Sequence, residues 1–342
     1  MATSFPFFFR KNIFQETFYV IIYSNSYNVN NFAVCFSKME VITDIEHYIG
    51  SDCVLTVGMF DGVHRGHRSL LTQLTDKARQ MQLQSAVVTF WPHPKTVLST
   101  EPIKLLNTLD ERLSHFEQCN VGKVFVLKFD RQLSQLSPRD FIKEYLIEKF
   151  RAKYFLMGYN HHFGKGTYQL DDYISISSEC GLESSRVDKF MLEEHKCSSS
   201  EIRKCIERAD IEAANQLLGY TYNITGIVIA GDQIGRRLGF RTANLEIDDS
   251  SKLLPPNGVY ACYTCVNGVK YKSVVNIGRR PTFDGADHRI ETHILDYKND
   301  IYGNKIQIQF VKTIRGESRF QHIDELKNAI YNDIELSRKI LK

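Results

Sequence analysis

The chain has 342 residues, of which 43% are hydrophobic and 24% charged, a composition typical of a globular protein long enough for two domains. Its formal net charge of +3 and pI near 8.3 are too mild for the clustered Lys and Arg of a nucleic-acid-binding surface. A small anionic substrate fits this charge better. Eight cysteines lie at scattered positions without zinc-site or disulfide spacing, so we expect reduced thiols and a cytoplasmic setting.

Residues 1–38 differ in composition from the rest of the chain. They are rich in Phe, Tyr, Asn and Ile, and their longest apolar run, FYVIIY, is too short to cross a membrane. Because these residue types have A/T-rich codons, we expect an unstructured extension or translated leader, with Met39 as the natural start. The alternative is an aromatic arm that touches a membrane, whereas the remaining chain is expected to have no membrane contact.

Residues 39–218 alternate β-rich runs with helical patterns. The apolar runs are CVLTVGMF, QSAVVTFWP, KVFVLKF and YFLMG, and the stretches between them include HRSLLTQLTDKARQMQ, DERLSHFEQC and SPRDFIKEYLIEKF. Strands separated by helices predict an α/β domain with a Rossmann-like parallel sheet and right-handed crossovers. Ligands of such sheets bind beyond the carboxyl ends of the strands.

Residues 219–342 have a different pattern. Short β-rich runs such as NITGIVIAG, GVYACYTCV and KIQIQFVKTI follow one another without helices, separated by Gly, Asn, Pro and Asp. They predict a small antiparallel β-barrel, followed by a C-terminal helix from about His322 to Leu341.

The stretch GMFDGVHRGH carries the first candidate site. Gly58 and Gly62 allow a sharp turn after the first apolar run, and His64 and His67 lie on one side of the helix that follows. Free N–H groups and the positive end of the helix dipole favour an anion there. A zinc site would need ligands beyond the two histidines, and neighbouring Asp61 and His93 form no known spacing. Alternatively, Asp61 only caps the helix.

A second helix start, SSSEIR, has similar chemistry. Ser198 followed by Glu201 is a capping box, which explains a helix start without any ligand. Serines before a helix with Arg203 on its first turn also form an anion site. Two such starts in one α/β domain predict binding of a nucleoside triphosphate.

These motifs together resemble a known family. GMFDGVHRGH and SSSEIR are similar to the HxGH and KMSKS-like segments of nucleotidyltransferases. TFWPHPKTVL, GYNHHFGKG, GRRLGFRTANLEI, GVYACY, VVNIGRRPTF and IETHILDYKNDIYG follow in the order expected of bacterial bifunctional riboflavin kinases and FMN adenylyltransferases, also called FAD synthetases. The resemblance runs from about Met39 to the C-terminus.

For residues 39–218 the resemblance implies transfer of AMP from ATP to FMN with release of pyrophosphate. His64 and His67 would contact the ATP phosphates and stabilise the transition state. The other implied roles are phosphate binding by Ser199, Ser200 and Arg203, shaping of the phosphate-binding turn by Gly58, Phe60 and Gly62, and flavin binding by Pro92, His93 and Asn160.

For residues 219–342 the resemblance implies riboflavin kinase activity. Thr242 and Asn244 would coordinate Mg²⁺ with the nucleotide phosphates, and Glu291 would accept the proton of the attacking hydroxyl; without the family, Glu291 reads as a solvent-facing strand residue. Arg241 stands where the family has proline, which predicts a less rigid loop. The other implied residues are Gly231, Gly235 and Arg236 in a phosphate loop and Arg315, Glu317 and Phe320 in a flap over the flavin.

Two alternatives remain open at this stage. One is a single-activity nucleotidyltransferase with a non-catalytic barrel, against which the intact Thr242, Asn244 and Glu291 argue. The other is a flavin-binding regulatory or carrier protein with a decayed kinase half, supported only by Arg241. The sequence predicts small-molecule partners, ATP, riboflavin and FMN, and no nucleic acid, and it leaves self-association open.

Overall fold

The computed structural model describes most of the chain after residue 38, in the ranges 39–99, 103–159, 163–188, 190–192, 195–231, 239–247, 249–282 and 285–342. The predictions for residues 1–38, Asn160, Gly235 and Arg236 lie outside these ranges. Within them, no helix is both long enough and apolar enough to cross a membrane.

The first half is built on a six-stranded sheet in which every pair of neighbouring strands is parallel. Its order is β1-β4-β3-β2-β5-β6, with β1 (Glu40–Ile42), β2 (Cys53–Val57), β3 (Gln84–Trp91), β4 (Lys123–Lys128), β5 (Ala152–Met157) and β6 (Glu183–Arg186). The predicted parallel sheet is confirmed, and β1 and β6 extend it beyond the four predicted strands.

Helices cover both faces of this sheet, because alternate strand residues point to opposite sides. Leu55 and Val88 belong to one apolar core, whereas Val54 and Val87 belong to the other. The helices are α1 (Arg65–Gln80), α2 (Pro94–Leu98), α3 (Leu109–Gln118), α4 (Pro138–Asp140), which continues as a π-helix over Phe141–Lys149, α5 (Leu170–Glu179), α6 (Ser199–Glu207) and α7 (Ile211–Leu218). A two-stranded hairpin, β7 (Met191–Leu192) and β8 (His195–Lys196), precedes α6.

The second half is a closed barrel of six antiparallel strands, as predicted. The barrel order is β10-β13-β12-β11-β14-β9, with β9 (Asn223–Ile229), β10 (Ala243–Ile247), β11 (Gly258–Val266), β12 (Val269–Thr282), β13 (Gly285–Ile294) and β14 (Lys305–Gly316). The predicted C-terminal helix is α8 (Ile323–Ile340), whose Ile334 packs with Val259 and Val274 of the barrel.

The two halves share one apolar core. Ile206 of α6 and Leu218 of α7 belong to the same buried cluster as Ile224 and Tyr260 of the barrel. A buried ion pair adds to this junction: the Lys252 Nζ atom lies 2.5 Å from the Glu111 Oε2 atom of α3. Helices α6 and α7 of the first half are therefore packed directly against the barrel.

Candidate active sites

The turn between β2 and α1 has a strained backbone. Phe60 and Val63 have φ angles of 50° and 31°, although side chains with a Cβ disfavour this region. Gly62 has φ 85°, and a Cβ at this position would lie 2.7 Å from the Leu106 Cδ1 atom. Gly62 is therefore required both by its conformation and by the close approach of Leu106.

His64 caps α1 with its own ring. Its Nδ1 atom accepts a hydrogen bond of 3.3 Å from the backbone N–H of His67, and the two rings stack with centroids 3.7 Å apart. An accepting Nδ1 leaves the ring proton of neutral His64 on Nε2, where it can be donated to a ligand. The interpretation that Asp61 caps this helix is wrong, because His64 takes that position.

Both histidines are held in the neutral form. Burial lowers the pKa of His64 to about 4, against the opposing effect of the Asp61 charge. The pKa of His67 lies well below its usual value because of burial, with smaller contributions from His64 and Arg112. Neutral imidazoles can stabilise phosphate charge by donating N–H groups, but they do not bring a positive charge of their own.

Asp61 connects three segments behind the turn. Its carboxylate accepts hydrogen bonds from the backbone N–H groups of Leu106 and Asn107 at 3.0 and 3.1 Å, and it forms an ion pair with Arg203. Its backbone carbonyl accepts a 2.7 Å hydrogen bond from the Ser199 hydroxyl. The α1 turn and the start of α6 are thereby fastened together.

The predicted cap of α6 is present in part. The Ser198 hydroxyl accepts a hydrogen bond from the backbone N–H of Glu201 at 3.4 Å. Arg203 donates from Nε to the Lys104 carbonyl at 2.8 Å and pairs with Asp61 through its other end. Its guanidinium therefore lies in the cavity lining, held by a protein carboxylate.

These elements enclose a cavity of about 350 Å³. Eight predicted residues line it: Gly58, Phe60, His64, His67, His93, Ser199, Ser200 and Arg203. Gly62 and Pro92 are not among the lining residues and belong to the adjoining turns. Sequence reasoning missed five lining residues with functional side chains, Ser69, Lys95, Tyr159, Asp188 and Cys197.

Two of the missed residues had local signals. Lys95 follows the PHP segment on α2, whose cap is His93, with its Nδ1 accepting from the Lys95 N–H at 3.1 Å. Cys197 directly precedes the serine run, and its Sγ atom lies 3.5 Å from the His64 Nδ1 atom. Among the described residues, no three His, Cys, Asp or Glu side chains come together as metal ligands.

In the barrel, the structure brings two predicted residues together. Asn244 of β10 lies directly opposite Glu291 of β13. Arg289 contacts both, donating from Nε to Asn244 Oδ1 at 3.1 Å and lying 2.9 Å from Glu291 Oε1 through Nη2. Sequence reasoning missed Arg289. A Cβ at Gly231 would lie 2.0 Å from the Asn244 Nδ2 atom, so this glycine gives the amide its space.

Thr242 lies in a neighbouring cavity of about 250 Å³. Thr292 and Ile294 line this cavity and alternate along β13 with Glu291, so Glu291 points to the other side of the strand. Arg241 also lines it and donates to the Lys298 carbonyl at 3.1 Å, a contact that restrains the loop where the proline is missing.

The residues of the predicted flap over the flavin make contacts with α8 and with the chain before β11. Arg315 forms a two-pronged ion pair with Asp333 of α8, at 2.9 to 3.2 Å, and its guanidinium stands 5.6 Å from the centre of the Phe320 ring. Glu317 accepts a 3.1 Å hydrogen bond from the Asn257 side chain. None of these three side chains lines the cavity beside Thr242.

A cavity at the strand ends of a parallel sheet, lined by the starts of two helices and followed by a barrel with a polar Asn–Glu–Arg group, fits a two-part transferase. Residues 47–201 match the family model of FAD synthetase, and residues 218–341 match that of riboflavin kinase.

Curated relatives are similar to both halves of the chain. The chain is 37% identical to the bifunctional riboflavin kinase/FMN adenylyltransferase of Bacillus subtilis, with 85% of this chain and 94% of the relative covered. It is 36% identical to the enzyme of the same name from Escherichia coli K12, over 82% of this chain and 90% of the relative. The chain belongs to the family of bifunctional riboflavin kinases/FMN adenylyltransferases.

One solved structure is also similar along most of the chain. It is titled a macrolide-efflux protein from Streptococcus pneumoniae, and it superposes with a TM-score of 0.81 at 29% identity. The match covers 88% of this chain and 99% of that chain. The similarity therefore includes both the α/β half and the barrel.

Proposed function

We propose that the barrel phosphorylates riboflavin with ATP to give FMN, and that the α/β half then adenylylates FMN with a second ATP to give FAD and pyrophosphate. The observation that carries the second step is the cavity on which the starts of α1 and α6 converge with His64 and His67. We assign residues 39–218 to adenylyl transfer and residues 219–342 to the kinase.

In the adenylyl transfer, an oxygen of the FMN phosphate attacks the α-phosphorus of ATP, and the bond to the pyrophosphate oxygen breaks. The Nε2–H of His64 and the N–H groups at the start of α6 donate hydrogen bonds to the phosphate oxygens. Arg203 contributes a positive charge beside them while Asp61 holds its position. The protein thus contributes orientation and charge stabilisation and needs no covalent intermediate.

In the kinase step, Glu291 accepts the proton of the riboflavin hydroxyl that attacks the γ-phosphorus of ATP. The Thr242 hydroxyl and the Asn244 amide oxygen are of the kind that Mg²⁺ prefers. In this structure Thr242 lines the neighbouring cavity and the Asn244 oxygen accepts from Arg289, so the two side chains would have to reorient to hold one ion. Bound there with phosphate oxygens and water, Mg²⁺ would neutralise charge on the nucleotide. Arg289 adds a second positive charge next to the base.

The thiols support the compartment that we propose. All seven cysteines within the described ranges are free, in agreement with the reducing cytoplasm that we propose as the setting.

The test is a product assay with purified protein, riboflavin, ATP and Mg²⁺, sampled by chromatography. FMN followed by FAD supports both steps, whereas FAD made only from supplied FMN indicates an inactive kinase half. His67→Ala is expected to lower FAD formation at least about 100-fold and leave FMN formation intact. Glu291→Gln, the matched variant in the other half, should have the opposite selectivity, and EDTA should stop both steps.

A further inference from the structure

Arg112 of α3 is a buried cation without a counterion in contact. Its side chain is 0% exposed, and Nη1 donates to the Thr89 hydroxyl at 3.3 Å and to the Phe90 carbonyl at 3.4 Å. The Nε and Nη2 atoms have no hydrogen-bond partner. No carboxylate of the described ranges lies within 4.0 Å of the guanidinium, although buried arginines are normally paired.

The position of Arg112 relates it to the nucleotide cavity. The Thr89 hydroxyl that accepts from Arg112 itself donates to the Met59 carbonyl at 3.4 Å, in the turn between β2 and α1. On the other side, the guanidinium carbon lies 5.5 Å from the centre of the Trp91 ring, just before the turn that carries His93. Arg112 therefore lies behind the turn between β2 and α1 and behind the turn that carries His93, and it does not itself line the cavity.

The charge of Arg112 acts on groups of that cavity. It lowers the pKa values of His67 and His93, in addition to the larger effect of burial, and Asp61 in turn favours the charged form of Arg112. The His67 Nδ1 atom is likewise buried without a partner. A positive charge in a water-poor region is weakly screened and produces a strong local potential.

A purely structural role does not account for this arrangement. Even a buried ion pair can often be replaced by apolar side chains of similar volume without loss of stability, and Arg112 has no carboxylate in contact to repay the cost of burying its charge. The two substrates proposed for this cavity are both phosphate esters, and their reaction develops further negative charge on the phosphates. Such charge would be stabilised by a fixed cation that needs no reorganisation during the reaction.

We propose that Arg112 is a positioning residue for adenylyl transfer: its buried guanidinium supplies positive potential to the cavity that binds the phosphates of ATP and FMN. It acts through the cavity walls, on the phosphates and on His67, without touching substrate. This inference rests on the proposed function of the α/β half.

The test compares Arg112→Met, which keeps most of the volume, with Arg112→Lys, which keeps the charge, in the full chain. Arg112→Met is expected to lower kcat/KM for FAD formation from FMN at least 10-fold, with an unchanged or higher Tm and an unchanged riboflavin kinase rate. Arg112→Lys should retain most of the FAD formation. Arg112→Gln provides a second uncharged variant.

The outcomes separate this inference from the proposed function. If the wild-type chain makes no FAD from supplied FMN, the proposed function fails. If the wild type is active and the uncharged variants stay within 2-fold of it, the role of Arg112 is overturned. It is also overturned if both uncharged variants lose Tm and kinase activity together or fail to fold, since that marks a structural residue.

Discussion

The buried ion pair between the halves provides a sharp test of how the chain is held together. Lys252→Met removes the ammonium that contacts both Glu111 and the Leu106 carbonyl, at 2.5 and 2.6 Å. Glu111 then keeps a buried carboxylate whose Oε1 atom already lacks a partner. Breaking one side of such a pair costs about 3–5 kcal/mol. With an unfolding entropy of about 2.1 cal/mol/K per residue over about 300 residues, Tm should fall by roughly 5–8 °C.

The assay is differential scanning calorimetry of the wild type, Lys252→Met and the double variant Glu111→Gln/Lys252→Met. Glutamine at 111 can still accept from the Thr108 N–H, which Glu111 now does at 3.1 Å, so the start of α3 is preserved. The double variant should recover at least half of the lost Tm, because no buried charge remains unpaired. The reasoning would be refuted if Tm of the single variant fell by less than 2 °C, or if the double variant recovered none of the lost Tm.

Three further predictions concern FAD formation and the stability of the chain. Gly62→Ala should lower Tm and FAD formation together, because its φ of 85° and the nearby Leu106 side chain oppose a Cβ; calorimetry and the product assay measure both. Tyr220→Phe removes a hydroxyl that donates to the Gly62 carbonyl at 2.6 Å, and it should slow FAD formation more than FMN formation. A kinase rate that falls equally would contradict this. Burial lowers the pKa values of three histidines, His64, His93 and His115, to about 4.

Below its usual pKa near 6.5 each of these histidines takes up a proton in the unfolded chain but not in the folded one. Stability should therefore fall between about pH 6.5 and 4, by about 2 kcal/mol per histidine at pH 5. A Tm that is equal at pH 7.5 and pH 5 would exclude this, and His115→Asn should reduce the pH dependence.

The parts of the fold that sequence reasoning predicted have strong periodic signals. The runs that form β2 and β3 are mostly apolar, and all their residues except the two ends of β3 are buried, because both faces of the sheet are covered. Edge strand β6, with the sequence ESSR, carries no such signal, since its residues remain half-exposed at the sheet margin. Strand β10 has only five residues, of which Leu245 alone is buried, so its sequence ANLEI carries too weak a β pattern to predict a strand.

At the site, sequence reasoning found residue types at helix starts but not their long-range partners. The spacing of His64 and His67 predicts a shared face, which the stacked rings confirm. No spacing predicts that Asp61 pairs with Arg203, because the two are far apart in sequence and meet only when α6 packs against the first turn. The role of Arg112 also depends on contacts that the sequence does not show. Its position in DERLSH is typical of an exposed helix residue, and only the packing of α3 against the sheet buries it.

The core shared by α6, α7 and the barrel has a practical consequence for protein engineering. The Asn215 side chain of α7 donates to the Phe310 carbonyl at 2.9 Å and accepts from the Tyr222 N–H at 2.7 Å. These hydrogen bonds connect the helix to strand β14 and to the segment just before β9. A kinase fragment cut at residue 219 would leave apolar barrel surface open to water and prone to aggregation. A minimal autonomous kinase should instead retain both helices, beginning at Ser198.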